Sequence, residues 1–373
     1  MLLEYDKKTY LTIEKQPLAG STFTNWIRVL IENKFDINWR FLPRAIYVTL
    51  MIVVTTPLRL HEKKKFDGKI KDIKIEQPIF IIGHWRSGTT FLHYLLGQDK
   101  NLAYTSTMAT LDPSIFLEYE KLLRSIISKS LPHKRPMDNL EMKTDLPYEE
   151  EYAVANLCPY SFYHAWYFPK NMDRYFDKYV LFKDVNKEII DAWKENYTYF
   201  LKKVSYKHGG KQIMLKSLVN TARIKHIFEL FPDAKFIHLY RNPYEVYMST
   251  WKLYKSILPL FSFQQIDKDK LDQSILNVYK KLYKRYLKDR SLIPEGNLIE
   301  ISYENFVKQP LETVEKIYST FKINSFEKAK PSFKKYISKH ENYKRNHHRL
   351  DDKIKEKVYK EWGFVFKEFG YIK

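Results

Sequence analysis

A short apolar run followed by a turn rich in glycine and hydroxyl residues constrains the fold of this chain most. Residues 78–83 read Pro-Ile-Phe-Ile-Ile-Gly, and residues 83–90 read Gly-His-Trp-Arg-Ser-Gly-Thr-Thr. An unbroken apolar run of this length is typical of a strand buried on both faces, as in a parallel sheet. The turn has the frame of a phosphate-binding loop, in which backbone N–H groups and a helix N-terminus hold an anion. We therefore predict a strand, an anion-binding loop and a helix over 90–98.

The loop departs from the pattern of nucleotide triphosphatases at one position. Thr89 stands where those proteins have lysine, and the positive charge lies within the loop at Arg86. A phosphoryl transfer that depends on Mg²⁺ would lack its main charge on the transferred group. A planar guanidinium can still bind a phosphosulfate through two hydrogen bonds. The predicted anion-binding residues are Gly83, Arg86, Ser87, Gly88, Thr89 and Thr90.

Three further apolar runs, each followed by a helical pattern, complete the predicted architecture. They cover residues 212–215, 235–240 and 297–301. Alternating strands and helices predict an α/β fold, here a three-layer, P-loop-like parallel sheet flanked by helices. Residues 1–75 are predicted to form a helical N-terminal extension, and 76–373 the main domain. Within that domain, about 101–205 reads as a helical insertion near the carboxyl ends of the strands, where ligands bind.

A second segment indicates the same kind of ligand. Arg241-Asn242-Pro243 follows the 235–240 strand, and Ser249 comes about two helical turns later, so that Arg241 and Ser249 can reach one phosphate. Together, residues 86–90 and the Arg241/Ser249 pair resemble the 5′-phosphosulfate loop and the 3′-phosphate motif of the sulfotransferase family. The resemblance covers roughly residues 76–320.

The resemblance implies 3′-phosphoadenosine-5′-phosphosulfate as the donor, with no metal required. Tyr303, which precedes a glutamate after the last strand, resembles the family tyrosine that lies near the adenine. Lys216 resembles the lysine of the family's Lys-x-His segment. In the chemistry of sulfuryl transfer, we expect Arg86, Lys216 and the loop amides to stabilise the leaving 3′,5′-bisphosphate. The basic stretch 343–349 offers Arg345 as another nucleotide contact, although a solvated loop explains that stretch equally well.

The base that accepts the proton of the acceptor hydroxyl is not where the resemblance places it. In cytosolic relatives a histidine follows the matching lysine by two residues, and here that position is Leu218. The run Glu149-Glu150-Glu151 resembles a Pro-x-Glu-Asp-Glu segment of a bacterial branch of the family. Adjacent carboxylates raise each other's pKa, which suits one of them to act near neutrality. Glu149 is our first candidate, Glu150 the second and His84 the third; a helix-capping role for the acids is the alternative.

The composition of the chain limits the kinds of partner and the cellular compartment that we expect. The chain carries 64 basic and 44 acidic residues, a net charge of +20, which suits an anionic partner but, without an arginine-rich motif, indicates no nucleic acid. A single cysteine, Cys158, fits a reducing compartment, and the acidic N-terminus does not resemble a signal peptide, so a cytoplasmic location is expected.

The stretch 45–60 is almost unbroken apolar sequence with basic flanks. It is interrupted by Pro57 and shorter than the roughly 20 residues that a membrane span needs. A buried core helix is our first interpretation, and a peripheral contact with the inner membrane face is the second.

This stretch and the aromatic content of 16% favour an apolar, lipid-like or sterol acceptor alcohol. A carbohydrate acceptor, a P-loop nucleotide kinase and a basic nucleic-acid- or membrane-binding protein remain the alternatives.

Overall fold

A parallel sheet of five strands forms the core of one part of the chain. The computed structural model describes residues 1–10, 12–135, 137, 140–340 and 350–373. In this part of the chain the strand order is β2-β3-β1-β4-β5 and every pairing is parallel. The strands are β1 (Ile79–Gly83), β2 (Ala103–Tyr104), β3 (Ile213–Lys216), β4 (Lys235–Tyr240) and β5 (Leu298–Ser302). The predicted α/β class is confirmed.

The register of the central strands aligns their carboxyl ends. Ile79 of β1 pairs with Lys235 of β4, and the pairing continues in step until Gly83 faces Leu239. The chain therefore leaves β1 and β4 at the same edge of the sheet. This edge is where ligands bind in open parallel sheets.

Apolar side chains cover both faces of the sheet, as the unbroken apolar strands predict. On one face Ile79 and Ile81 join a core that includes Leu92 of the following helix. On the other face the ring of Phe80 stacks on Phe236, with 5.4 Å between the ring centroids. Burial of each such side chain contributes about 1.5–3 kcal/mol, which fixes the strands between two helical layers.

The chain divides into two compact units. One comprises Met1–Lys74, Thr105–Gly210 and Lys252–Ser274, and the other Ile75–Tyr104, Lys211–Trp251 and Ile275–Lys373. Helices of the first unit are α1 (Lys7–Tyr10), α2 (Phe23–Glu32), α3 (Leu42–Ile70), α5 (Thr107–Leu111), α6 (Glu120–Ser130), α7 (Glu151–Leu157), α8 (His164–Tyr167), α9 (Met172–Tyr179) and α10 (Lys187–Lys207). The first unit is therefore the helical one.

The second unit contains the sheet. Its helices are α4 (Thr89–Leu96), α11 (Ile224–Leu230), α14 (Tyr303–Lys308), α15 (Pro310–Phe321), α16 (Phe326–His340) and α17 (Asp352–Phe369), while α12 (Pro243–Phe261) and α13 (Lys268–Asp289) contribute residues to both units. Short 3₁₀ helices cover Pro17–Gly20, Trp39–Phe41, Pro169–Asn171, Leu218–Ala222 and Arg290–Leu292. The edge strand β2 lies in the stretch predicted to be helical; two residues are too few to produce a recognisable alternation.

Helix α3 differs from the prediction made for the apolar stretch 45–60. The helix continues through Pro57 to Ile70, and only one of its faces is buried. Pro57 removes the backbone donor that would reach the carbonyl of Val53, and just before it the hydroxyls of Thr55 and Thr56 donate to the carbonyls of Met51 and Ile52. A buried core helix therefore describes one side of α3, and its other side is exposed.

A buried ion pair anchors the packed side of α3. The Lys203 ammonium of α10 donates to Glu62 Oε1 at 2.6 Å, and both side chains are 1% exposed. The other carboxylate oxygen of Glu62 accepts from the backbone N–H of Glu118 at 2.8 Å. Both charges of this pair have hydrogen-bond partners. Removal of one partner therefore lowers the stability of the fold more than replacement of both by apolar residues does.

We expect Lys203→Met to lower the free energy of unfolding by about 3–5 kcal/mol, because Glu62 is left as a buried charge without its cation. Urea unfolding followed by circular dichroism measures this loss. The double variant Lys203→Met/Glu62→Met should recover most of it. Equal losses in the single and double variants would contradict the argument.

Candidate active site

The loop between β1 and α4 has the backbone conformation that its glycine-rich sequence predicts. Gly88 precedes α4 with φ of 90°, in the left-handed region that favours glycine. A Cβ atom at Gly88 would lie 2.3 Å from Cδ2 of Tyr303, so the tyrosine ring packs directly on the loop. Arg86 also has a positive φ, of 74°, which is uncommon for a residue with a side chain and is often found at functional sites.

Arg86 joins the two predicted phosphate motifs. Its Nε donates to the hydroxyl of Ser249 on α12 at 2.8 Å. Nη1 of Arg241, at the start of the same helix, donates to the backbone carbonyl of Arg86 at 3.2 Å. Two segments more than 150 positions apart in sequence therefore meet at the carboxyl edge of the sheet, and both bring a guanidinium.

A third cation reaches the loop from β3. Lys216 is 2% exposed, and its ammonium donates to the Thr90 hydroxyl at 3.4 Å. His93, one turn further along α4, is fully buried, and neither ring nitrogen has a hydrogen-bond partner among the described residues. Burial and then the nearby Lys216 charge lower the pKa of His93 well below its usual value, so the imidazole is neutral.

Tyr303 and Glu304 border the same region. The Arg241 guanidinium lies 4.4 Å from the centroid of the Tyr303 ring, in cation–π contact. Glu304 accepts from the backbone N–H of Asn242 at 3.2 Å and from the Tyr371 hydroxyl at 2.8 Å. Tyr303 thus lies against both Gly88 and Arg241, and its aromatic ring is beside the predicted anion-binding groups.

The three consecutive glutamates, in the helical unit, have different partners. Glu151 accepts from the Ser161 hydroxyl at 2.8 Å and from the Phe162 N–H at 3.3 Å, and it is fully buried. Glu149 accepts a hydrogen bond from the hydroxyl of Tyr163. Glu149 is 8% exposed, and it is the one member of the trio with measurable exposed surface.

Glu150 combines complete burial with an unusual ionisation. Tyr197 donates to its Oε1 at 2.9 Å. Burial, and to a smaller extent the charges of Glu151 and Glu149, raise the pKa of Glu150 to about 7. The sequence-based expectation that these carboxylates raise one another's pKa is met at Glu150, where desolvation is the larger cause. Its side chain makes no capping hydrogen bond to α7.

Aromatic rings surround the glutamate segment. Tyr148 stacks on Tyr152 at 4.9 Å between centroids, and Tyr163 stacks on Trp166 at 4.0 Å. Tyr152 contacts both members of the second pair edge-on, at 4.8 and 5.6 Å. The carboxylates therefore lie among broad apolar surfaces that carry hydroxyl groups at their rims.

Comparisons with known proteins agree with this arrangement. The profile of the Sulfotransferase family matches residues 78–328. A curated relative, the omega-hydroxy-beta-dihydromenaquinone-9 sulfotransferase Stf3 of Mycobacterium bovis, is 31% identical over 95% of this chain and 90% of its own length. The protein of the same name from Mycobacterium tuberculosis has the same identity and coverage. The chain belongs to the sulfotransferase family.

Solved structures of sulfotransferases share the fold. Sulfotransferase STF9 from Mycobacterium avium aligns with a TM-score of 0.69 at 16% identity, over 94% of this chain and 97% of that one. STF1 from Mycobacterium tuberculosis aligns with a TM-score of 0.61 at 15% identity, over 95% and 98%. These structures show the fold, and the family match together with the 31% identical relative confirms the interpretation of the sequence as a sulfotransferase, ahead of a nucleotide kinase or a basic binding protein.

Thr221 is a residue of this sulfotransferase that sequence reasoning missed. Its hydroxyl accepts from the Gly83 N–H and donates to the Gly83 carbonyl, both at 2.7 Å. This double contact fixes the residue at which β1 becomes the phosphate loop. A threonine five positions beyond Lys216 carries no pattern of its own, so no sequence signal could have found it.

His84 is a weak proton acceptor in this sulfotransferase. It is 1% exposed and lies edge-on to the ring of Tyr279, and burial lowers its pKa to about 3. An imidazole with that pKa holds a proton poorly near neutrality. The predicted nucleotide contact Arg345 lies outside the described residues. Within the described ranges, no group of three His, Cys, Asp or Glu side chains is arranged to hold a metal ion.

The pKa of Glu150 generates a prediction for stability. Its value of about 7 in the folded protein lies above the 4.5 of an ordinary glutamate, so the folded state binds this proton more tightly than the unfolded state. The stabilisation is complete below about pH 4.5 and is lost as the pH rises through 7. The free energy of unfolding of Glu150→Gln, relative to that of wild type, should therefore rise by on the order of 3 kcal/mol as the pH increases from about 5 to about 8.

Thermal unfolding of both proteins across this pH range measures the gain. Glu315→Gln, which changes an exposed carboxyl of α15, is the baseline. A constant difference between Glu150→Gln and wild type at every pH would show that Glu150 does not titrate in this window.

Proposed function

We propose that this sulfotransferase transfers a sulfuryl group from 3′-phosphoadenosine-5′-phosphosulfate to the hydroxyl of an apolar, lipid-like acceptor. The hydrogen bond from Arg86 to Ser249 carries the donor assignment. It joins the loop that resembles a 5′-phosphosulfate site to the helix that resembles a 3′-phosphate site. A donor with phosphate groups on both its 3′ and 5′ positions matches two adjoining anion sites of this kind.

The charges and surfaces of the nucleotide unit fit such a donor. Arg86, Lys216 and Arg241 lie on or beside the loop, and Thr90 adds a hydroxyl at the start of α4. The adenine ring is proposed to contact the Tyr303 ring, which packs on Gly88 and lies against the Arg241 guanidinium. The role of Ser87 and Thr89, at the helix start, is to offer backbone N–H groups to the phosphosulfate.

The chemistry is an in-line displacement at sulfur. The donor supplies an activated sulfuryl group whose bond to the 5′-phosphate oxygen breaks as the bond from the acceptor oxygen forms. Arg86 and Lys216 stabilise the negative charge that develops on the leaving phosphate oxygen. Arg241 and Ser249 hold the 3′-phosphate and so orient the nucleotide for the displacement. The scheme uses the cations of the chain, and the absence of a metal requirement stays a prediction.

Glu149 is proposed to accept the proton of the acceptor hydroxyl. A general base must contact its substrate, and Glu149 has exposed surface where Glu150 and Glu151 have none. The hydroxyl of Tyr163 holds its carboxylate in place. Glu150, the next residue, is fully buried. We propose that it does not touch the acceptor and that its hydrogen bond from Tyr197 positions this segment.

The acceptor class rests on two supports. Stacked tyrosine and tryptophan rings surround the glutamates, which favours an acceptor with a large apolar body. The Mycobacterium relative is named for sulfation of omega-hydroxy-beta-dihydromenaquinone-9, a hydroxylated lipid. We therefore propose a long-chain lipid alcohol, such as an omega-hydroxylated quinone, ahead of a sterol or a carbohydrate.

We expect adenosine 3′,5′-bisphosphate to bind the purified chain far more tightly than ATP with Mg²⁺. Arg241→Ala should lower the affinity for the bisphosphate by about 10- to 100-fold, because hydrogen bonds to charged groups contribute about 1.5–3 kcal/mol. Isothermal titration calorimetry measures both affinities. Arg124→Ala, which removes an arginine from a surface ion pair in the helical unit, is the matched control and should bind normally. Tighter binding of ATP would contradict the proposed donor.

For the base, we expect Glu149→Gln to lower kcat by at least about 100-fold, since proton transfer contributes 10²- to 10⁴-fold in enzymes. Its affinity for adenosine 3′,5′-bisphosphate should be unchanged. The kcat of Glu150→Gln should fall by less than about tenfold, because Glu150 positions the segment without accepting the proton. Transfer of ³⁵S from labelled donor to a long-chain lipid alcohol measures kcat. The reverse order of the two losses would assign the base to Glu150.

A further inference from the structure

Helix α3 presents a row of exposed aliphatic side chains. They recur at intervals of three or four residues over most of the helix and therefore lie on one face. We call this row the apolar face, and its members are Leu42, Ile46, Leu50, Val53, Val54 and Leu60, each between 47 and 69% exposed. The 18 residue steps from Leu42 to Leu60 correspond to about 27 Å of helix. Exposed apolar rows of this length mark interaction surfaces.

Basic and aromatic residues stand at the two ends of the apolar face. Trp39, 73% exposed, and Arg40 precede it, and Lys63, Lys64 and Lys65 follow it, all of them exposed. The sequence contains no acidic residue between Asp36 and Glu62. Lys64 comes four positions after Leu60 and so continues the same face of the helix. An aliphatic face with a terminal tryptophan and cationic ends complements the interface of an anionic bilayer.

The opposite side of α3 shows that the helix does not cross the membrane. Arg44 is fully buried and donates to the backbone carbonyls of Ser262 and Pro259 at 2.8 and 2.7 Å. Arg59 pairs with Asp112 at 3.2 Å, and Glu62 pairs with Lys203. A span would have to break these contacts and carry the charges into hydrocarbon. Although α3 is long and apolar enough to span by composition, its packed side requires it to lie flat.

We propose that the apolar face of α3 docks the enzyme onto an anionic lipid bilayer, parallel to the membrane surface. Leu, Ile and Val side chains enter the acyl boundary. The lysine cluster, Lys63, Lys64 and Lys65, lies beside the lipid phosphates, where Lys64 contacts them first because Lys63 and Lys65 pair with Asp67 and Glu118. The inference rests on the proposed function in one respect: a long-chain lipid alcohol resides in a bilayer, so an enzyme held at that surface meets its acceptor there.

Pairing with a second copy of the chain fits the same face less well. A symmetric pair uses the same surface on both partners. Two antiparallel α3 helices would place the lysine cluster of one beside Arg40 of the other, and two parallel helices would place lysine against lysine. Both arrangements bring like charges together, whereas anionic lipid neutralises both ends at once.

The test uses the full chain without donor or acceptor, so that it does not depend on catalysis. We expect the chain to sediment with phosphatidylcholine vesicles that contain about 30% phosphatidylglycerol, and to bind pure phosphatidylcholine vesicles at least about tenfold more weakly. The emission of Trp39, identified by its loss in Trp39→Phe, should shift to shorter wavelength and be quenched by lipids brominated in the acyl chain.

Two variants separate the apolar and the electrostatic contributions. Ile46→Gln/Leu50→Gln/Val54→Gln should bind the anionic vesicles at least about tenfold more weakly. Its control is Leu122→Gln/Ile126→Gln/Leu292→Gln, which removes three exposed apolar side chains elsewhere and should bind normally. Lys63→Gln/Lys64→Gln/Lys65→Gln should lose the preference for phosphatidylglycerol, while Lys328→Gln/Lys334→Gln/Lys335→Gln on α16 should keep it.

Other results would overturn the proposal. Equal sedimentation of the α3 variant and its control would show that the face does not bind lipid. A concentration-dependent dimer in analytical ultracentrifugation that is lost in the α3 variant, without vesicle binding, would assign the face to a second copy. Normal affinity of the α3 variant for adenosine 3′,5′-bisphosphate shows that it folds, so loss of vesicle binding is separable from failure of the donor assignment.

Discussion

The parallel pairing of β1 with β4 determines where Arg86, Arg241 and Ser249 lie. Because Gly83 faces Leu239 across that pair, the loop after β1 and the helix after β4 begin at the same level of the sheet. Arg86 can then reach Ser249, and Arg241 can reach the carbonyl of Arg86, although no local sequence relation connects them. A shift of register by one residue would turn the side chains of one strand to the opposite face of the sheet and move the two guanidinium groups apart.

The sequence predicted this part of the molecule well for a physical reason. Strands buried on both faces are unbroken apolar runs, and a phosphate loop needs glycine at fixed backbone positions such as Gly88, so both leave signals in a single sequence. Thr221 and His93 leave none, because their importance comes from what tertiary structure brings next to them. The glutamate cluster was predicted from its resemblance to a motif, yet the different environments of Glu149 and Glu150 depend on Tyr163 and Tyr197, which only folding brings close.

Several ionisable groups are buried, and for some of them a neighbour of opposite charge offsets the cost of burial. Glu62 pairs with Lys203, and Asp112 pairs with Arg59, so each of these charges has a partner of opposite sign. Glu150 is different, because its nearest charges are Glu151 and Glu149, which have the same sign and oppose its ionisation. A protein under selection for stability alone would have an amide at this position. The retention of a carboxyl with a pKa near 7 beside the proposed base is the kind of local destabilisation that active sites tolerate.

Helix α3 carries apolar side chains on both its buried and its exposed side. Arg44, Arg59 and Glu62, each with polar partners in the helical unit, are buried beside Ala45, Val48, Ile52, Phe66 and Ile70, while leucine, isoleucine and valine side chains are exposed on the other side. Composition could not predict this arrangement, because an apolar stretch with a few charges normally buries the apolar residues and exposes the charges. Every exposed aliphatic side chain here forgoes the free energy of leaving water, about 1.5–3 kcal/mol when burial is complete. Since the buried charges fix the orientation of the helix, rotation cannot recover that free energy within the folded chain, and contact with an apolar phase outside the protein can.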